Sequence, residues 1–190
     1  IVTSTKGKKP KTLGKKTTKN KFAYINIKAF EKKIFDEYTD GESCPKCTEN
    51  DLLMVWDGSR SGLVGYGVSG VIGSTLVKLD CNGNDTKFLW YFLQPKYQTI
   101  NTKQRGTGTP HVNPDILWNF KFLLPSLNEQ KRIVSQIEKL FSKINSTKQL
   151  LEQVNLQLEQ YRVSLLKSAF EGKLTEEWRG RNSKKLTSAN

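Results

Sequence analysis

From Leu127 to Glu171 the sequence contains neither proline nor glycine, and one apolar seam runs through the whole stretch. Its members are Ile133, Ile137, Leu140, Ile144, Thr147, Leu151, Val154, Leu158, Tyr161 and Leu165, separated by alternating steps of four and three and broken only by the polar Thr147. Such steps keep every member on one stripe of an α-helix, and over more than four heptads they specify a coiled coil rather than an ordinary surface helix. Ser126-Leu-Asn-Glu129 supplies a capping box at the start: the Ser side chain and the Glu three residues on each satisfy a backbone N–H that the helix leaves unpaired. Gly172 is a natural stop. At about 1.5 Å per residue this helix is roughly 65 Å long. The preceding segment of 125 residues cannot cover a seam of that length. A partner helix is therefore expected, from another chain or from further sequence.

The residues before Pro125 have a different character. Phe22–Ile27 reads as a strand of β-branched and aromatic residues, Asp51–Trp56 as a short buried strand, and Ser74–Leu79 as a third. Six glycines between Asp57 and Gly73 suit tight turns. Phe88–Leu93 reads as the buried part of a helix that opens at Asp85 or Thr86, and Trp118–Leu124 as a closing strand. Trp56, Trp90, Tyr91, Phe92 and Trp118 lie in apolar runs, and most of them are expected in the core. The fold class is α+β: a compact mixed sheet-and-helix domain followed by one long coiled-coil helix. The expected divisions are 1–125 for the domain, with a basic arm at 1–21, then 126–172 for the helix and 173–190 for a polar tail or junction.

Charge narrows the function. Lys and Arg number 31 against 18 Asp and Glu, a formal net charge of +13, which points to a polyanionic partner and above all to nucleic acid. Residues 1–21 hold eight of the lysines and no acid. They read either as a mobile solvated arm or as a segment tracking phosphates, with Lys15, Lys16 and Lys19 as phosphate contacts. A second candidate is the loop Lys103-Gln-Arg-Gly-Thr-Gly-Thr-Pro-His111, where short hydrogen-bonding side chains alternate with glycines. Lys103, Arg105, Thr107, Thr109 and His111 are the candidate base contacts there, since Arg suits a guanine edge and Thr a base or thymine methyl. Arg60, in the glycine-bounded turn Gly58-Ser-Arg-Ser-Gly62, is the third candidate. The competing reading of Arg60 is structural: it pairs with Asp57 and holds the loop's shape.

No catalytic constellation stands out. The chain has one histidine, His111, and no glycine-rich phosphate loop ending in Lys-Ser/Thr. Arg60 occupies the position at which a nucleophile elbow would carry its serine. Asn113-Pro-Asp-Ile116 resembles an amino-methyltransferase loop only in its first two residues, without the second proline or the aromatic. Cys44-Pro-Lys-Cys47 has the spacing of half a zinc ribbon, but a second C-x-x-C is absent, and no metal or cofactor is expected. An odd count of three cysteines argues against a disulfide framework and for a reducing cytoplasm. No apolar run approaches the ~18 residues of a membrane span.

Two sets of residues then resemble a known family. Leu124-Pro-Ser-Leu-Asn-Glu-Gln-Lys-Arg-Ile133, the heptad helix and Ser168-Ala-Phe-Glu-Gly-Lys-Leu174 are similar to the specificity subunits of type I restriction–modification systems. Tyr24–Ile27, Asp51–Leu53, Trp56–Gly62 and Gly73–Leu76 resemble that family's target-recognition domain. The resemblance implies a non-catalytic protein that reads one half of a bipartite site on double-stranded DNA. It also implies that two long helices pair antiparallel, hold two recognition domains apart, and dock the methyltransferase subunits and, through them, the restriction subunit. The family's usual subunit has two recognition domains and two spacer helices; here there is one of each, as in a fragment or a half-subunit that dimerises. The alternative is a coiled-coil interaction module with a protein-binding head, which has no need of the Lys/Arg/Thr loop.

Overall fold

The computed structural model describes residues 2–106, 108–121 and 123–183. In chain order the elements are β1 (Thr3–Lys6), β2 (Phe22–Ile25), α1 (Ile27–Lys32), β3 (Tyr38–Thr39), β4 (Lys46–Cys47), β5 (Leu52–Val55), β6 (Val64–Gly65), β7 (Gly70–Ile72), β8 (Leu76–Asp80), α2 (Thr86–Leu93), α3 (Tyr97–Thr102), α4 (Pro114–Trp118), α5 (Leu127–Phe170) and α6 (Glu176–Arg181). By its contacts the chain divides into two compact units, Ile1–Gln136 and Ile137–Asn190.

The first unit is built around β5, the most apolar of the expected strands. All four of its residues are buried, because alternate side chains feed opposite faces. Leu52 and Met54 join Val77, Leu79, Leu89, Leu93, Ile100 and Leu117 beneath α2, α3 and α4. Leu53 and Val55 join Ile25, Ala29, Phe30, Val68, Ile72 and Leu76 against the second sheet and α1. The first sheet has the order β1-β8-β5-β6 and is antiparallel throughout; the second has the order β3-β2-β7-β4, with β2 and β7 parallel. This mixed arrangement is the α+β class expected.

Several local readings need correction. The strand at Phe22 stops at Ile25, because the Asn26 side chain accepts the Ala29 N–H at 2.9 Å and starts α1. The glycine-rich segment is more than turns, since β6 and β7 lie within it. Trp118 ends α4 rather than opening a strand and stays 46% exposed, while Trp56, Trp90 and Phe92 are only partly buried against the first core cluster. Asn113-Pro-Asp is a helix start, with Pro114 in the first turn and the Asn113 side chain accepting the Asp115 N–H at 3.1 Å.

The basic arm is not free along its length. Thr3–Lys6 forms the edge strand beside β8, and the Gly7 and Lys8 N–H groups donate to the carbonyls of Leu76 and Ile72 at 2.9 and 3.1 Å. Gly14 exchanges backbone hydrogen bonds with Tyr38. The lysine side chains remain exposed while the backbone that carries them is docked.

The second unit consists of most of α5 followed by α6. The helix runs 44 residues without interruption and ends in Gly172 at φ 72°, the left-handed conformation that a stop requires. At its root the Ser126 hydroxyl accepts the Glu129 N–H at 3.4 Å, as the capping box specifies.

Candidate nucleic-acid interface

Two loops some forty residues apart in sequence are sewn into one surface. The hairpin between β5 and β6 closes through Gly62 N–H to Val55 O (2.7 Å) and Val55 N–H to Leu63 O (2.8 Å). Arg105 and His111 exchange two backbone hydrogen bonds of 2.9 Å. Gly58 N–H then donates to Pro110 O at 2.7 Å and Val112 N–H to Trp56 O at 2.9 Å, joining the turns. Side chains add to the seam: Asn101 Nδ2 donates to the carbonyls of Ser59 and Ser61, both at 2.9 Å, and Gln104 Nε2 to the buried Ser61 hydroxyl. Gly62 has φ 92°, and a Cβ there would lie 2.6 Å from Ile100 Cγ2, so this position accepts only glycine.

The expected site residues divide into two groups. Arg60, Arg105 and His111 are brought together on these joined loops, with Thr109 exposed on the same turn and Lys103 exposed just after α3. Thr107 lies outside the described residues. Lys15, Lys16 and Lys19 sit elsewhere, on the segment bridged to β3, where the Lys16 ammonium stands 5.7 Å from the Tyr38 ring centroid. Beside them the Asp40 carboxyl is held below its ordinary pKa, first by the Glu42 backbone N–H and then by the Thr12 hydroxyl.

The ion pairs differ from the one expected. Arg60 pairs not with Asp57 but with Glu31 of α1, Nε to Oε1 at 3.3 Å; Asp57 is taken by Lys6, at 2.6 Å. Lys6, at the end of β1, also stands 5.8 Å from the Trp56 ring centroid. Arg105 pairs with Asp115 at the start of α4. Lys6, Glu31 and Asp115 are not among the candidate site residues that the sequence offers. Only the pairing of β1 with β8 and the packing of α1 and α4 bring them here, and no spacing rule spans those distances.

The cysteines lie apart: Cys47 is in the core cluster between the sheets, its thiol donating to Val68 O at 3.6 Å, and Cys81 is in the cluster under α2. Burial pushes the Cys47 thiol up to about 11 and the Cys81 thiol upward as well. Among the described residues no three His, Cys, Asp or Glu side chains gather as a metal site. The joined loops offer guanidinium, ammonium, hydroxyl and imidazole groups on a hydrogen-bonded backbone, chemistry suited to gripping an anionic, hydrogen-bonding surface.

On α5, Ile133 and Ile137 are half-buried, whereas Leu140, Ile144, Leu151, Val154, Leu158, Tyr161 and Leu165 are each 42–65% exposed. No helix among the described residues is long and apolar enough to cross a membrane.

A basic two-sheet domain with joined donor-bearing loops, followed by a long helix with an uncovered apolar seam, is a binding module. Residues 1–156 match the family described as Type I restriction modification DNA specificity domain, and the chain belongs to that family. It is 34% identical over 154 residues to the type I restriction enzyme MjaVIII specificity subunit of Methanocaldococcus jannaschii, covering 77% of this chain and 36% of that protein. It is 33% identical over 98 residues to the EcoDI specificity subunit of Escherichia coli, covering 52% of this chain and 22% of that one. The chain thus spans about a third or less of the length of these relatives. A solved structure bearing on complex assembly and conformational transition of the type I R-M system shares the fold with TM-score 0.67 at 18% identity, over 90% of this chain and 43% of that one. The HsdS subunit from Thermoanaerobacter tengcongensis shares it with TM-score 0.60 at 17% identity, over 78% and 37%.

Proposed function

We propose that this chain is a non-catalytic DNA-recognition component of a type I restriction–modification complex. Residues 1–125 read one half of a bipartite target on double-stranded DNA. The helix at 126–172 is the spacer, paired antiparallel with a second such helix from another copy or from the rest of a longer subunit, and 173–190 form the junction. Methyltransferase subunits dock through the long helix and bring the restriction subunit with them. The observation that supports this reading is the hydrogen bonding of the turn at 57–62 to Asn101, Gln104 and Pro110, which joins the backbone segments that carry Arg60, Arg105 and His111 in a chain with net charge +13, with Lys6 paired to Asp57 of the same turn. A head built only to bind protein has no need of that convergence. A second apolar row on α5, formed by exposed Leu156, Val163, Leu166 and Phe170, supports a helix with more than one partner.

The test is the salt dependence of duplex binding, measured by fluorescence anisotropy. If about six phosphates are neutralised, log K against log [salt] falls with a slope near roughly −5. A flat response removes DNA from the account.

A further inference from the structure

Arg60 and Arg105 are both paired with carboxylates, but at different nitrogens. Asp115 engages Arg105 at Nη2, one tine of the terminal fork. Glu31 lies against Arg60 with Oε1 3.3 Å from Nε, on the stem side of the guanidinium. The Arg60 side chain is 53% exposed, and that of Glu31 only 18%. The turn behind Arg60 is fixed by Ser61 N–H to Gly58 O at 3.0 Å and by the two bonds from Asn101.

Glu31 is unusual for an acid on a short helix. Its Oε1 is buried, and among the described residues it forms no hydrogen bond; only the charge of Arg60 compensates it. A buried carboxylate oxygen without a donor is costly unless a cation stands against it. Phe30, Lys33 and Leu63 line the same groove of about 300 Å³, but the Lys33 ammonium donates to the Tyr66 carbonyl at 2.9 Å. The acid therefore sits against the guanidinium, while the other cation of the groove is engaged by a carbonyl.

We infer that Glu31 is a positioning residue for a guanine-reading Arg60. Its charge holds the guanidinium from the Nε side, which leaves the Nη pair as the fork whose shape grips O6 and N7 of guanine in the major groove. A side chain already held in its reading pose loses less conformational freedom on binding. The inference rests on the DNA reading proposed above.

Selection from a randomised duplex pool tests it, using the full 190-residue chain and its Arg60→Ala, Glu31→Ala, Glu31→Gln and double Ala variants. The parent enriches guanine at a defined position. Arg60→Ala lowers that preference by about fivefold or more, with non-specific affinity nearly intact. Glu31→Ala erodes the same position and no other, the double variant adds nothing further, and Glu31→Gln, which keeps the shape but removes the charge, erodes that position as Glu31→Ala does. Guanine preference undiminished in Glu31→Ala but lost in Arg60→Ala overturns the positioning role while leaving Arg60 a reader. A uniform loss on all sequences that tracks a lowered melting temperature assigns Glu31 to the fold and overturns it too. Preferences all intact in Arg60→Ala remove the reader, and a parent that enriches nothing removes the DNA reading itself.

Discussion

Gln130, 1% exposed, accepts the Asp85 N–H at Oε1 and donates from Nε2 to Asn84 Oδ1 and the Pro125 carbonyl, each at 2.9 Å. It ties the root of α5 to the start of α2, whose first turn Asp85 caps by accepting the Phe88 N–H at 2.9 Å. Replacing Gln130 by Ala strands these groups, each worth about 1–3 kcal/mol when buried unpaired. Gln130→Ala is therefore expected to lower the unfolding free energy by about 2 kcal/mol or more in urea titration, and a change under half that contradicts the clamp. Cys47 makes a pH prediction. Its folded pKa of about 11 lies above the ordinary thiol value of about 8.5, so below pH 8.5 both folded and unfolded states keep the proton. Between there and 11 the unfolded chain loses it first, and stability falls. The stability margin of the parent over Cys47→Ala should accordingly narrow as pH rises from about 8.5 to 11, and a constant margin refutes the burial effect. At pH 8 a thiol reagent should modify half-buried Cys44 well before Cys47 or Cys81.

At the scale of elements, α5 was legible because a heptad seam needs only local periodicity: spacing, a cap and a glycine stop are all contiguous in the sequence. The structure keeps that seam uncovered from Leu140 to Leu165. Each large apolar side chain taken from water contributes about 1.5–3 kcal/mol, so a row of them favours a second helix strongly. With an isologous pairing between two copies, the parent chain should be a dimer by light scattering, and Leu151→Asp with Leu158→Asp should convert it to monomer. A dimer that persists in the double variant places the contact elsewhere. The short elements were harder to read. β4 and β6 have two residues each, and such strands exist by pairing with β7 and β5 rather than by propensity.

Across the whole molecule the lysines of the N-terminal segment and the arginines of the joined loops occupy different supports. Lys15, Lys16 and Lys19 travel with the β3 edge, their side chains exposed and their backbone anchored through Gly14. Contacts of that kind carry no base information. Neutralising all three to Gln should weaken binding to every duplex alike and flatten the salt slope by roughly 2–3. Weakening confined to one sequence would instead make them readers.

The sequence by itself determined the long helix and its two ends, the central apolar strands β5 and β8, the Asp85-capped helix α2, and the basic balance that implies a polyanionic partner. Each of these is a local or summed property: period, cap, propensity, charge. Only the tertiary structure decided that the segment from Thr3 to Gly14 is docked at both ends, that Arg60 meets Glu31 instead of Asp57, and that the turn at 57–62 is hydrogen-bonded to Asn101, Gln104 and Pro110. Those outcomes depend on strand order and on the two-sided burial of β5, which bring together residues tens of positions apart. Asp57 is near Arg60 in sequence, but β1 delivers Lys6 to it first, and α1 packs Glu31 beneath the turn. Pairing of that kind is set by which elements share a core, and spacing along the chain does not encode it.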